Sequence, residues 1–87
     1  MAAWGCDLYV ISAGELTKVG RTKNVTRRFK EICRAMPWAD CTLTAVFPGS
    51  GFAEPWVHKA LSDFERKEEW FKRHHKTMLK VITEVLP

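Results

Sequence analysis

Two short runs rich in β-forming residues, CDLYVIS at 6–12 and ELTKVG at 15–20, flank a Ser-Ala-Gly reversal. Branched and aromatic side chains suit a pleated chain, and small residues with Gly suit a tight turn. Residues 6–20 therefore read as a β-hairpin, with Gly20 closing the second strand. A hairpin alone is too small to hold together in water, so whatever follows must cover it. The register stays open at this level. A two-residue Ala-Gly turn sets Tyr9 across from Lys18, whereas a three-residue Ser-Ala-Gly turn shifts the pairing by one.

The next segment, RTKNVTRRFKEICRAMPW, changes period. Val25, Phe29, Ile32, Cys33 and Met36 fall at i, i+4, i+7, i+8 and i+11, which is one narrow helical stripe. Asn24 or Thr22 supplies a cap and Pro37 a stop, giving a helix over 24–36. CTLTAVFP reads as a third strand and GSGF as a loop. FAEPWVHKALSDFE reads as a helix beginning near 51–54, because Pro55 belongs in a first turn; Val57, Leu61 and Phe64 share a face. EEWF is ambiguous. HHKTMLKVITEVL closes the chain as a helix with Met78, Val81, Ile82 and Val85 as its stripe. The order β-β-α-β-α-α implies a small α+β fold, a three-stranded antiparallel sheet flanked by helices.

At 87 residues, with four Trp, five Phe and 46% apolar residues, the expectation is one packed domain spanning 1–87. No apolar run approaches the roughly 18 residues of a membrane span. The start, MAAWGCDLYVIS, has no basic lead-in and carries Asp7, so no signal peptide is expected. Cys6, Cys33 and Cys41 are odd in number and widely spaced. They fit reduced thiols in a cytoplasmic protein, nucleoid-associated if bacterial or phage, and they lack zinc-site spacing. His74 and His75 are adjacent and on a helix would point to different sides, which is poor chelation.

Charge is unevenly spread. Between residues 18 and 34, Lys18, Arg21, Lys23, Arg27, Arg28, Lys30 and Arg34 stand against Glu31 alone, so this segment carries +6 in a chain whose net charge is +4. A basic half on an otherwise slightly acidic chain points to a polyanion, most often nucleic acid, or else to a solvated helix face. At 100° per residue, Arg27 and Arg34 lie opposite the apolar stripe. Arg28 lies on its border, roughly 80–90° from the centre. It reads either as a surface arginine with its stem on the core or as one aimed into a cleft. Glu54 sits one turn before His58, beside the Val57 stripe. It reads either as a first-turn acid favoured by the helix dipole or as a ligand-binding carboxylate near a core. Tyr9, the lone tyrosine, can equally be a sheet aromatic. Trp70 and Phe71 read as core-sealing rings, while Trp38 and Trp4 are candidates for exposed contact with nucleic acid or another subunit.

Taken in order, LYVI, a short gap, KVGRT, RRF, then Glu-x-x-x-His and EWF resemble the GIY-YIG nuclease superfamily. The likeness is to its compact phage and bacterial branch, also known from a fungal meiotically up-regulated protein, over about residues 7–72. Each motif is short; their order and spacing carry the specificity. Tyr9 matches the tyrosine of GIY, and Val19-Gly20 match the end of YIG. Arg28 matches the family arginine and Glu54 the metal-binding glutamate. Asp7-Leu8 replace the Gly-Ile of GIY, Lys18 stands where many members have a second tyrosine, and a further family asparagine has no evident counterpart.

The resemblance implies a divalent-metal-dependent endonuclease that hydrolyses phosphodiester bonds of DNA, with a single centre that cuts one strand per visit and so nicks, double-strand cleavage needing dimerisation or rebinding. RNA is the other polyanion open to it. Glu54 would hold one Mg²⁺ or Mn²⁺, with water and phosphate oxygens completing the shell. Arg28 would clamp phosphate, and Tyr9 would act as base or place the water, helped by Lys18 because free tyrosine titrates near 10. His58 would support Glu54 or relay a proton. Arg21 would touch the scissile phosphate or its neighbour, and Lys23, Arg27, Lys30 and Arg34 would track the nucleic-acid backbone. A homodimer or a partner protein would supply specificity. Two other readings stand beside this one: a weakly catalytic nucleic-acid-binding module on the same fold, and an interaction or inhibitor protein acting on a nucleic-acid-handling enzyme.

Overall fold

Apolar continuity decides the centre of the fold. Leu8, Tyr9, Val10 and Ile11 run together without the polar alternation of a strand wetted on one side. In the computed structural model they lie in β1 (Asp7–Ala13), which is buried on both faces. The structure describes residues 5–62, 64, 66–67, 70–72 and 74–86. Trp4 and part of the EEWF segment lie outside the described residues.

Strand β1 pairs antiparallel with β2 (Leu16–Thr22) on one side and with β3 (Cys41–Phe47) on the other. Beyond β2 come β5 (Trp70–Phe71) and then β4 (Arg66–Lys67), so the sheet order is β3-β1-β2-β5-β4. The expected three-stranded sheet is thereby corrected to five strands. The two added strands are two residues each, too short to show a period of their own.

The hairpin register is also corrected. Neither Ala-Gly nor Ser-Ala-Gly forms the turn; Ala13 pairs with Leu16, and Gly14-Glu15 make the reversal. Tight two-residue hairpins need positive φ at their first turn position, and Gly14 supplies it at +60°. The consequence is functional: Tyr9 stands opposite Gly20, and Lys18 opposite Ile11.

Helix α1 (Val25–Ala35) starts where expected, with Asn24 Oδ1 accepting from the Arg27 amide at 3.0 Å. It covers one face of the sheet, packing Val25, Phe29 and Ile32 against Tyr9, Ile11, Leu43 and Trp70. The other face is covered by α2 (Glu54–Ala60) and α3 (His75–Val85). Val57, Leu61, Met78 and Ile82 meet Leu8, Val10, Val19 and Phe71 there. Helix α2 is shorter than the sequence suggests. It ends at Ala60, the chain turns at Leu61, and Phe64 still packs on the same core from beyond the helix.

Phe71 is buried, and Trp70 packs against the α1-side core with Lys18 Nζ 5.7 Å from its ring centroid, so both rings seal the interior. His74 is not helical. It caps α3, with Nδ1 accepting from the Lys76 amide at 3.2 Å. Helical angles therefore do not apply to the His74-His75 pair, and the rings stack with centroids 4.2 Å apart instead of pointing apart.

Candidate active site at one end of the sheet

Strand direction gathers the candidate residues. Strand β1 begins at the same end of the sheet where β2 and β3 finish, since Asp7 pairs with Thr22 and Leu8 with Phe47. Helix α1 leaves that end after Lys23 and Asn24. A 3₁₀ turn (Gly51–Ala53) leads into α2 at the same end. Two helix N-termini, which carry partial positive charge, therefore start beside the first residues of β1.

On the α1 face, the Tyr9 ring lies over Gly20. A Cβ on Gly20 would sit 2.6 Å from Tyr9 Cζ, so only glycine fits beneath this ring. Tyr9 is 1% exposed. Lys18 shares this face and is buried. Arg28 lies in the first turns of α1, half-exposed, with its guanidinium 3.9 Å from Glu31. Arg27, Lys30 and Arg34 are exposed along the same helix, and Lys23 is exposed in its approach.

On the other face, Glu54 is the first residue of α2 and its side chain is 18% exposed. Arg21 Nε lies 4.0 Å from Glu54 Oε2, joining the end of β2 to the start of α2. His58, one turn on, places Nε2 3.0 Å from the Val19 carbonyl oxygen. A carbonyl only accepts, so this nitrogen carries the proton and the ring is held against β2. Edge-to-face contact with Phe71, at 5.4 Å between centroids, fixes it further.

Arg21, Glu54 and His58 are thus brought together, while the helix bearing Glu54 packs on the face opposite Tyr9, Lys18 and Arg28. The two groups lie on opposite faces of the sheet, toward the end where β1 begins. Because side chains alternate along a strand, Tyr9 and Gly20 belong to one face and Leu8 and Arg21 to the other.

Sequence reasoning missed how Glu54 is delivered. The loop before it is stitched to the start of β1: the Gly49 amide donates to Asp7 Oδ1 at 2.8 Å and the Gly51 amide to the Cys6 carbonyl at 2.9 Å. Asp7, which breaks the GIY pattern, therefore has a local task, and only the glycine-rich loop hinted at it. Replacing Asp7 with Ala is expected to cost about 1.5–3 kcal/mol, the worth of a hydrogen bond to a charged group, read as a lower urea midpoint.

All three cysteines are free. Burial, and then Cys33 beside it, hold the Cys41 thiol above its ordinary value, so it stays protonated at neutral pH. Among the described residues no group of three or more His, Cys, Asp or Glu could hold a metal ion. Among them too, no helix is long and apolar enough to cross a membrane.

A family model, the T5orf172 domain, matches residues 8–86. No curated protein and no solved structure matches the chain.

Proposed function

We propose that this chain, which belongs to the T5orf172 domain family, is a divalent-metal-dependent endonuclease of the GIY-YIG type that hydrolyses DNA phosphodiester bonds. The family is nuclease-related, which supports a nuclease-like or nucleic-acid-binding role. The observation that carries the finer reading is the Arg21–Glu54 pair, 4.0 Å apart, at an end of the sheet crowded with cations and helix N-termini.

Glu54 is one hard oxygen donor, partly open to solvent. That donor set fits Mg²⁺ or Mn²⁺ only as an ion shared with substrate, its remaining positions filled by water and phosphate oxygens. When bound, the ion would supply charge neutralisation at phosphorus and help for the leaving oxygen. The protein's own residues do the rest. Arg21 holds the Glu54 carboxylate in place and presents a guanidinium to the adjoining phosphate. His58 pins the first turns of α2 to β2 and so fixes the height of Glu54. Arg28 clamps a phosphate oxygen from the α1 side. Tyr9, with Lys18 near it, places the attacking water or takes its proton. Lys23, Arg27, Lys30 and Arg34 track the DNA backbone. A single centre cuts one strand per visit.

The basic track makes its own prediction. If Arg21, Arg28 and these four cations all contact phosphates, the logarithm of the DNA association constant is expected to fall against log salt with a slope of about −5.4. Removing one of them, as in Lys30→Ala, is expected to flatten that slope by about 0.9, measured by anisotropy from 50 to 200 mM salt.

Binding without turnover is the second reading, favoured by the 1% exposure of Tyr9, which shields the phenol from substrate. Plasmid relaxation separates the two. Wild type is expected to convert supercoiled to open-circular DNA in Mg²⁺ and to leave it intact in EDTA. Inertness in both Mg²⁺ and Mn²⁺ with a salt-sensitive complex would establish the binding module. Absence of any complex at low salt would leave an interaction protein.

A further inference from the structure

Two of the three thiols share one spot on the α1 face of the sheet. Cys33 stands in the last turn of α1, Cys41 is the first residue of β3, and these two elements pack together. Cys41 packs on the cluster that holds Ile32, the chain neighbour of Cys33, and the Cys33 thiol is within hydrogen-bonding reach of the Cys41 thiol. Both residues are half-buried, so a small reagent can touch them. Cys6 has no place in this pair. It is buried against Gly51 and precedes β1, whereas Cys41 pairs with Ala13 at the other end of that strand. Roughly 20 Å of strand lies between.

We propose that Cys33 and Cys41 form a reversible disulfide, a clasp between the end of α1 and the edge strand β3 that closes when a small-molecule disulfide such as oxidised glutathione is in excess. One thiolate of the pair attacks a sulfur of the glutathione disulfide, forming a mixed disulfide and releasing one glutathione. The other then attacks the protein sulfur of that bond and releases the second glutathione. Each protein thiol gives up one proton and one electron, and the small disulfide takes them up as two glutathione thiols. Burial keeps Cys41 protonated, so the first attack falls to Cys33 and the second, favoured by proximity, to Cys41. The bond needs sulfurs about 2.0 Å apart. Both cysteines lie at the ends of elements joined by residues 36–40, where backbone yields more readily than in mid-helix or mid-strand. Once closed, the clasp ties the helix that carries Arg27, Arg28, Lys30 and Arg34 to the sheet edge.

The test equilibrates the native chain at neutral pH in glutathione buffers of rising disulfide content, quenches with acid, alkylates the remaining thiols and weighs the protein. Wild type is expected to lose about 2 Da and two alkylatable thiols together, and to regain both in dithiothreitol. Trypsin cuts after Arg34, between the two cysteines, so residues 31–34 and 35–59 should travel as one ion until reduced. Cys41→Ser should hold one glutathione on Cys33, and Cys6→Ser should close the bond as wild type does. The oxidised chain is expected to melt about 10 °C higher, the scale of a short closed loop. Glutathione retained in place of the bond in wild type, a bond that includes Cys6, linked dimers, three free thiols at every ratio, or a bond that lowers the melting midpoint would each overturn the clasp. The peptide mapping is done on wild type, so a serine variant that fails to fold does not blunt it.

Discussion

Glu54→Gln is expected to leave DNA binding within about twofold of wild type while lowering plasmid nicking by at least about 10²-fold, the scale of losing one group that stabilises transition-state charge. The substitution keeps the shape of the side chain and removes its charge. A neutral amide is a poor donor for a hard divalent ion, and among the described residues no group of three or more His, Cys, Asp or Glu stands ready to hold the ion in its place. Folding should survive. The partner, Arg21, is 40% exposed and its nitrogen lies 4.0 Å away, and exposed pairs at such range are worth only about 0–1 kcal/mol. A modest change in thermal midpoint beside a large change in rate is therefore the expected signature. Equal nicking by Glu54→Gln and wild type would remove Glu54 from the chemistry. Loss of nicking together with loss of the fold would mark the carboxylate as an N-terminal helix acid and nothing more.

What the sequence made legible was whatever depends on near neighbours. The stripe from Val25 to Met36, the Asn24 cap and the stop near Pro37 are all encoded within a few residues, and α1 follows them closely. Helix α3 likewise follows Met78, Val81, Ile82 and Val85. The register of the hairpin was not legible in the same way, because it turns on which residue takes positive φ, and Ser-Ala-Gly allowed more than one answer. Strands β4 and β5 could not be foreseen from periodicity, since two residues have none; they exist because the edge of β2 at Thr17 and Lys18 accepts them. The site was legible only as a set of residue types. Motif order pointed to Tyr9, Arg28 and Glu54, but placing Glu54 beside Arg21, 33 positions away in sequence, needs the loop ties to Asp7 and Cys6. Those ties are long-range hydrogen bonds, which leave no local pattern. The division of candidates between two faces follows from the same corrected register, as Tyr9 opposite Lys18 would have implied a different neighbourhood for both.

Gly20→Ala is expected to destabilise the protein by about 3 kcal/mol, at the upper end of what one misplaced methyl costs in a packed interior. The reason is contact, not backbone freedom. Gly20 is not among the positive-φ glycines, so alanine could adopt its conformation. Its methyl, however, would stand 2.6 Å from Tyr9 Cζ and 3.1 Å from Cε2. The ring has nowhere to retreat, since Tyr9 is 1% exposed and α1 closes over it through Ile32. This gives a test in which the sign reverses. Tyr9→Ala alone should cost about 3–5 kcal/mol by leaving a cavity. In that background the added methyl of Gly20→Ala enters empty space and stiffens the unfolded chain less favourably for disorder, so it should stabilise by about 0.4–1 kcal/mol. Urea unfolding of the four proteins in this cycle measures the coupling directly. A Gly20→Ala cost that is the same with and without the Tyr9 ring would mean that the ring does not lie over residue 20, and the α1-side half of the candidate site would have to be rebuilt.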